Sequence, residues 1–181
     1  MKKIPYPIDK HKWSPSLIPG PVVLISTFNK DKEPNVAPKS WLSMVSFTPP
    51  ILMFSGTKGN STESNILEIG CFAVNFVDSS MAETVFGCLR WHGRERIERC
   101  GFELSSASVI DAPLVSNCRA HLECRLTDTK EVGSGLVIFG EIVASSIWDE
   151  IMKADPDKRY DLLDQVMFLE DGVWGRVERK E

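Results

Sequence analysis

The sequence predicts a mainly β domain, a Greek-key or split β-barrel with a few short helices, and three observations carry that reading. Short runs rich in β-branched and aromatic residues recur along the chain: PVVLISTF, PILMFSG, CFAVNFV, HLECRL and LVIFGEIV. The connections between several of them are too short for parallel crossovers, so antiparallel hairpins follow: NKDKEPN is a polar turn, Pro49 and Pro50 mark a corner, and Asp171 and Gly172 separate two apolar segments. Gly140 interrupts a long apolar strand, where a bulge or a close backbone approach lets a small barrel turn a corner. No glycine-rich dinucleotide fingerprint follows the first strand and no Walker-type loop is present. A nucleotide cofactor therefore needs some other architecture here than a doubly wound α/β fold.

Taken in order, residues 1–18 form an irregular arm with Trp13 and Leu17 as anchors. PVVLISTF is a central strand, and residues 37–47 continue the sheet after the turn. Lys39, Ser40, Ser43 and Ser46 interrupt the apolar residues of that second strand, so something polar is expected against it. Pro49 and Pro50 lack amide donors and turn the chain into PILMFSG. Next comes TKGNSTESN, where Asn60 and Glu63 are spaced as an N-cap and its reciprocal acid, and Gly70 stops the helix. In CFAVNFV, Asn75 stands alone among apolar neighbours and is expected to be satisfied by backbone. Ser79 caps a helix whose Met81, Val85, Cys88 and Leu89 form a core stripe. Residues 101–117 read as a loop with a short edge segment, LVIFGEIVASSIWDEI as a long strand, and residues 150–181 as a C-terminal helix carrying Tyr160, Leu162 and Leu163 followed by a hairpin.

Composition narrows the functional classes. A chain of 181 residues with 43% hydrophobic content is one domain, 1–181, able to bury its own core. A net charge of −4 argues against a general nucleic-acid binder. No apolar run reaches the ~18 residues a membrane helix needs. Pro5, Pro7 and Asp9 break any signal-peptide core, and five irregularly spaced cysteines fit a reducing cytoplasm better than a disulfide framework.

Three stretches carry chemistry. The loop after PILMFSG offers Lys58, Ser61 and Thr62 beside the free amides of a helix start, which is what a phosphate needs; it also reads as a well-capped helix without a ligand. In RWHGRERIERC, Arg90, Arg94, Arg96 and Arg99 surround His92, either as a mobile loop meeting a dinucleotide phosphate or as a solvated connection half-neutralised by Glu95 and Glu98. Cys118, His121 and Cys124 resemble zinc-ligand spacing, but six residues of strand hold the two cysteines roughly 20 Å apart. Alternation places Cys118, Ala120, Leu122, Cys124 and Leu126 on one face and Arg119, His121, Glu123 and Arg125 on the other, so no metal site is expected.

PGPVVLISTF, NVAPKSWLSMVSFTPPILMF, KGNSTESNI, CFAVNFV, HLECRL and GLVIFGEIV, in that order over roughly residues 15–150, resemble the flavin reductase-like, FMN-binding split-barrel family that includes flavoredoxins. The resemblance implies a homodimer with FMN near the subunit interface and NAD(P)H-dependent flavin reduction, or electron transfer to a redox partner protein. Ala37, Pro38, Lys39, Ser40 and Trp41 would border the isoalloxazine ring, with Lys39 near its N1 and O2 edge. Phe47, Thr48 and Pro49 would shape the other edge, and Lys58, Ser61, Thr62 and Asn65 would hold the phosphate. No catalytic side chain is implied, because the flavin carries the chemistry. Gly133, Ser134 and Gly135 stand where many reductases of the family have a histidine, and the usual C-terminal arginine- and glycine-rich segment is replaced. The electron donor is therefore left open. The alternatives are a non-catalytic barrel that binds FMN or haem and an interaction module with no cofactor.

Overall fold

A computed structural model describes residues 1–6, 17–170, 172–178 and 180. Its strands are β1 (Gly20–Pro21), β2 (Val23–Phe28), β3 (Pro34–Lys39), β4 (Leu42–Phe47), β5 (Pro50–Thr57), β6 (Cys71–Phe76), β7 (Leu104–Ser106), β8 (Pro113–Val115), β9 (Ala120–Val132), β10 (Gly135–Ile147), β11 (Val166–Glu170) and β12 (Val173–Arg176). The helices are α1 (Ser61–Ile69), α2 (Ala82–Gly87), α3 (Gly93–Arg99), α4 (Asp149–Lys153) and α5 (Arg159–Leu163). Seven strands form one antiparallel sheet in the order β3-β2-β6-β9-β10-β5-β4. A small sheet of β1, β11 and β12 and the hairpin of β7 and β8 lie beside it.

Alternation along the strands divides most of the apolar residues between two cores, with a small third cluster of Ala73, Ala112 and Leu114. Val23 and Ile25 of β2, Leu52 and Phe54 of β5, Phe72 and Val74 of β6, and Leu136 and Ile138 of β10 share one, which Ile66 of α1 joins. Val22, Leu24 and Val36 belong to the other, with Val85 of α2, Ile97 of α3 and Val166 of β11. Both faces of β2 are thus buried, which is why PVVLISTF reads as continuous rather than alternating. At Gly140 the pairing of β9 with β10 shifts register, as its position predicted, and a Cβ there would lie 2.5 Å from Cζ of Phe72. Asn75 is satisfied as expected: its Nδ2 donates to the Leu24 carbonyl at 2.8 Å and its Oδ1 accepts the Val115 N–H at 2.8 Å.

Several local readings are corrected. Residues 37–47 are two strands: β3 pairs with β2 and β4 with β5, at opposite edges of the sheet, and the chain crosses between them at Ser40 and Trp41. Gly20 makes that crossing possible, since a Cβ there would lie 1.9 Å from the Ser40 carbonyl oxygen. On β9 both faces are covered, so His121 and Glu123 are buried despite their polarity. His121 Nε2 lies 2.9 Å from the Val115 carbonyl and Nδ1 3.1 Å from Ser146 Oγ. Burial pushes the Glu123 carboxyl up, but hydrogen bonds from the Ser108 N–H and hydroxyl and from the backbone of Val109 and Ile110 outweigh it and hold the group below its usual range.

The tail of the predicted long strand is instead α4, whose Asp149 and Glu150 suit a helix start and whose Lys153 pairs with Asp149 one turn back. Ser79 does not cap α2: Met81 occupies that position, and the Ser79 N–H and hydroxyl donate to Asp164. Leu89 is exposed and falls off the stripe, and Leu17 is exposed rather than an anchor. Trp13 and Asp171 lie outside the described residues. One disulfide, Cys88–Cys100, closes the elbow between α2 and α3, departing from the expectation of unpaired thiols. Its Cα atoms are 6.2 Å apart, within the span a disulfide bridges. Cys71, Cys118 and Cys124 are free and buried.

Candidate functional site

Helix α1 begins where β5 leaves the sheet, and its first turn is docked by two buried hydrogen bonds. Asn35 Nδ2 donates to Thr62 Oγ1 at 2.9 Å, and Asn65 Nδ2 donates to Thr27 Oγ1 at 3.0 Å. Thr62 and Asn65 therefore fix the helix on β2 and β3, which leaves Ser61 and Ser64 on its exposed face. Asn60 is the N-cap residue as expected, but its side chain makes no capping bond and Glu63 does not reach back to it. Glu63 turns into the protein and accepts from Lys39 Nζ.

In front of α1 lies a cavity of about 430 Å³ lined by Asn29, Glu33, Asn35, Ser61, Ser64, Asn65, Gly93 and Arg94. It joins the helix start to two segments far away in sequence, the turn after β2 and the beginning of α3. The four arginines of the basic segment separate into three roles there. Arg90 and Arg99 flank Trp91, with Cζ 4.2 and 4.8 Å from the ring centroid. Arg96 is buried and donates to the carbonyls of Val36, Cys88 and Leu89, and burial lowers the pKa of its guanidinium. Arg94 alone of the four lines the cavity.

Of the residues expected to hold a phosphate, Ser61 and Asn65 line this cavity. Thr62 supports it from beneath through Asn35, and Lys58 instead pairs with Glu131 at 2.6 Å on the β9–β10 hairpin. Of those expected at a ring, Ala37 and Pro38 are half-buried on β3, opposite Ile25 and Leu24. Lys39 follows at the end of that strand, and Ser40 and Trp41 form the crossing to β4. Trp41 is 64% exposed while its carbonyl accepts the Ser55 N–H at 3.1 Å. Phe47, Thr48 and Pro49 form the exposed tip of the β4–β5 hairpin, outside the cavity lining, and the Thr48–Pro49 peptide is cis.

Three contributors were not legible as site residues. Asn29, Glu33 and Asn35 read as parts of the polar turn NKDKEPN, and only their shared approach to α1 reveals them, whereas Ser64 was already among the hydroxyls of the helix-start loop. No reactive thiol accompanies the site: burial, assisted by Asp78, pushes the Cys118 thiol up to about 12, and burial raises Cys124 as well. Among the described residues no cluster of three potential metal ligands occurs.

The structure thus sets a polar cavity, with the Arg94 guanidinium and the Glu33 carboxylate on its wall, at the start of a helix beside an antiparallel sheet. Residues 16–163 match the flavin reductase like domain, and the chain belongs to that family. It is 28% identical to the 2-nitrobenzoate 2-nitroreductase of Pseudomonas fluorescens, with a TM-score of 0.82 over 93% of this chain and 86% of that one. The flavoredoxin of Methanosarcina acetivorans is 25% identical, with a TM-score of 0.82 over 100% and 94% of the two chains. A flavin reductase-type protein with a split barrel domain from Shewanella frigidimarina, 18% identical, superposes with a TM-score of 0.81 over 90% and 84% of the two chains. The fold is thus a split barrel.

Proposed function

We propose that the chain is an FMN-dependent oxidoreductase that takes electrons from NADH or NADPH and passes them to free flavin or to a partner protein. The observation that carries this reading is the cavity that brings Arg94 to the start of α1 beside Ser61, Ser64 and Asn65. A guanidinium and two hydroxyls at the start of a helix suit a phosphate monoester, and the Glu33 carboxylate suits the hydroxyls of a ribityl chain. Exposed Trp41 and Phe47 offer apolar surface of the kind an isoalloxazine ring covers. Bound flavin would supply the hydride and electron transfer. The chain's own residues bind the phosphate at Arg94 and Ser61 and position the ring along the β3–β4 crossing. Untagged protein, reconstituted with FMN and titrated anaerobically with NADH and then NADPH, is expected to show flavin absorption that bleaches with one of them. Protein that stays colourless after incubation with FMN would overturn the reading, and flavin bands that neither nucleotide bleaches would remove the nicotinamide donor from it.

The same reading includes a homodimer. Strand β4 is an edge of the large sheet, and Met44, Val45 and Phe47 on it are exposed together with Trp41 just before it. An apolar sheet edge of this kind is a pairing hazard unless something covers it, and a second copy does so symmetrically. Sedimentation is expected to give about twice the 20.3 kDa chain mass, and Phe47→Glu with Val45→Glu to give the single-chain mass. A wild-type species of one chain mass at all concentrations would end the proposal.

A further inference from the structure

The buried group least explained by packing is Glu63. Its side chain is fully shielded from solvent, one carboxylate oxygen accepts from Lys39 Nζ, and the other, Oε2, has no hydrogen-bond partner. The Lys39 side chain is itself only 13% exposed. Gly56 of β5 is pressed against the pair: a Cβ there would lie 1.6 Å from Glu63 Oε1 and 2.8 Å from Lys39 Nζ. Three elements, α1, β3 and β5, thus converge on one ion pair. Stability does not account for it, because a buried pair with half of one carboxylate unsatisfied is no better than an apolar pair of equal volume. What the pair does that an apolar pair cannot is set local charge.

We propose that Glu63 is a positioning residue that fixes the redox potential of the bound flavin by cancelling the charge of Lys39. The inference rests on the flavin reading above, in which the ring lies along the end of β3. An ammonium shielded from water acts on a neighbouring anion far more strongly than a solvated one. The reduced flavin is the more anionic redox state, so an uncompensated Lys39 would hold it more tightly than the oxidised form. With Glu63 in place the ring meets a neutral pair, reduced flavin gains no special stabilisation, and it remains a strong donor. Glu63 also sits between Thr62 and Ser64 on the phosphate-facing turn, so one side chain couples the helix that anchors the phosphate to the strand that faces the ring.

The test measures the affinities of oxidised and of chemically reduced FMN for wild type, Glu63→Gln and the double variant Lys39→Met with Glu63→Gln. Glu63→Gln is expected to shift the ratio of the two affinities about tenfold toward reduced FMN, about 30 mV for a two-electron couple. The double variant is neutral again and is expected to return within about twofold of wild type, a reversal that a purely structural role would not produce. A Glu63→Gln protein that binds FMN with the wild-type ratio, or a double variant that keeps the shift, would overturn the inference alone. Wild type that binds FMN in neither redox state would overturn it together with the flavin reading. Should Glu63→Gln fail to fold, Glu63→Asp, which withdraws the carboxylate by one methylene, is expected to move the ratio in the same direction, and an unmoved ratio there counts equally against it.

Discussion

Replacing Arg96 with Met is expected to cost about 2–4 kcal/mol of stability, whereas replacing Arg94 with Gln is expected to leave stability within about 0.5 kcal/mol. The two residues stand two positions apart in the same helix, yet the fold gives them opposite tasks. Arg96 is 6% exposed, and its guanidinium donates to the Val36 carbonyl at 2.9 Å, to Cys88 at 3.3 Å and to Leu89 at 3.4 Å. Among the described residues no carboxylate pairs with it. Burial makes the charge expensive, which favours the Met variant. Removing the guanidinium also leaves the buried Val36 carbonyl without this donor, at about 1–3 kcal/mol, and loses the bonds to the Cys88 and Leu89 carbonyls, at about 0.5–1.5 kcal/mol each, and that larger loss decides the sign. Arg94 is exposed and lines the cavity, so its loss falls on the ligand. Affinity for FMN is expected to drop about tenfold, the size of one charge-assisted contact at a partly solvated site. Denaturant midpoints and FMN titrations of both variants check the pair of outcomes, and equal FMN affinities for wild type and Arg94→Gln would remove the arginine from the phosphate site.

That division also marks how far the sequence could be read. The hairpins were legible because their signals are local: NKDKEPN between β2 and β3, the prolines between β4 and β5, and the break before β12 at Gly172 all lie within a few residues of the pairing they cause. Gly70 was legible for the same reason, ending α1 at φ 82° with its N–H on the Ile66 carbonyl. Ser61, which lines the cavity, was expected from the chemistry of a helix start, whereas Asn65 was expected only from the family resemblance. What could not be read were features fixed by distant partners. The spacing of Asn60 and Glu63 fits a capping box, but Lys39 lies 24 residues earlier and offers Glu63 a charge where Asn60 offers only an amide. Buried, Glu63 gains more from the charge. The break between β3 and β4 was hidden because neither half carries a glycine or proline at Ser40–Trp41; the tight contact that marks the crossing belongs to Gly20. Arg94 and Arg96 could not be separated, since their difference lies in which of them faces Val36.

Gly140→Ala is expected to destabilise the fold by about 3 kcal/mol, near the top of the overpacking range, and to lower Tm by roughly 6–12 °C. The added methyl would lie 2.5 Å from Cζ and 2.8 Å from Cε1 of Phe72 and 3.2 Å from Cβ of Cys124. A flexible neighbour at a surface could step aside. Phe72 is fully buried, and its ring already meets Phe54 edge-on at 5.3 Å, so retreat in that direction moves the clash one residue further into the core. The strand cannot yield easily either, because β10 is paired on both sides, with β9 and with β5, through the register shift itself. If the ring is the obstacle, Phe72→Leu in the Gly140→Ala background should recover part of the loss, although Phe72→Leu alone destabilises by opening a void. The resulting coupling, measured as a double-mutant cycle of thermal or denaturant midpoints, is expected to be stabilising by about 1–2 kcal/mol. Strictly additive effects would mean that the strain resides in the backbone of the bulge, and an unaltered Tm for Gly140→Ala would mean that the two strands do not approach as closely as this register requires.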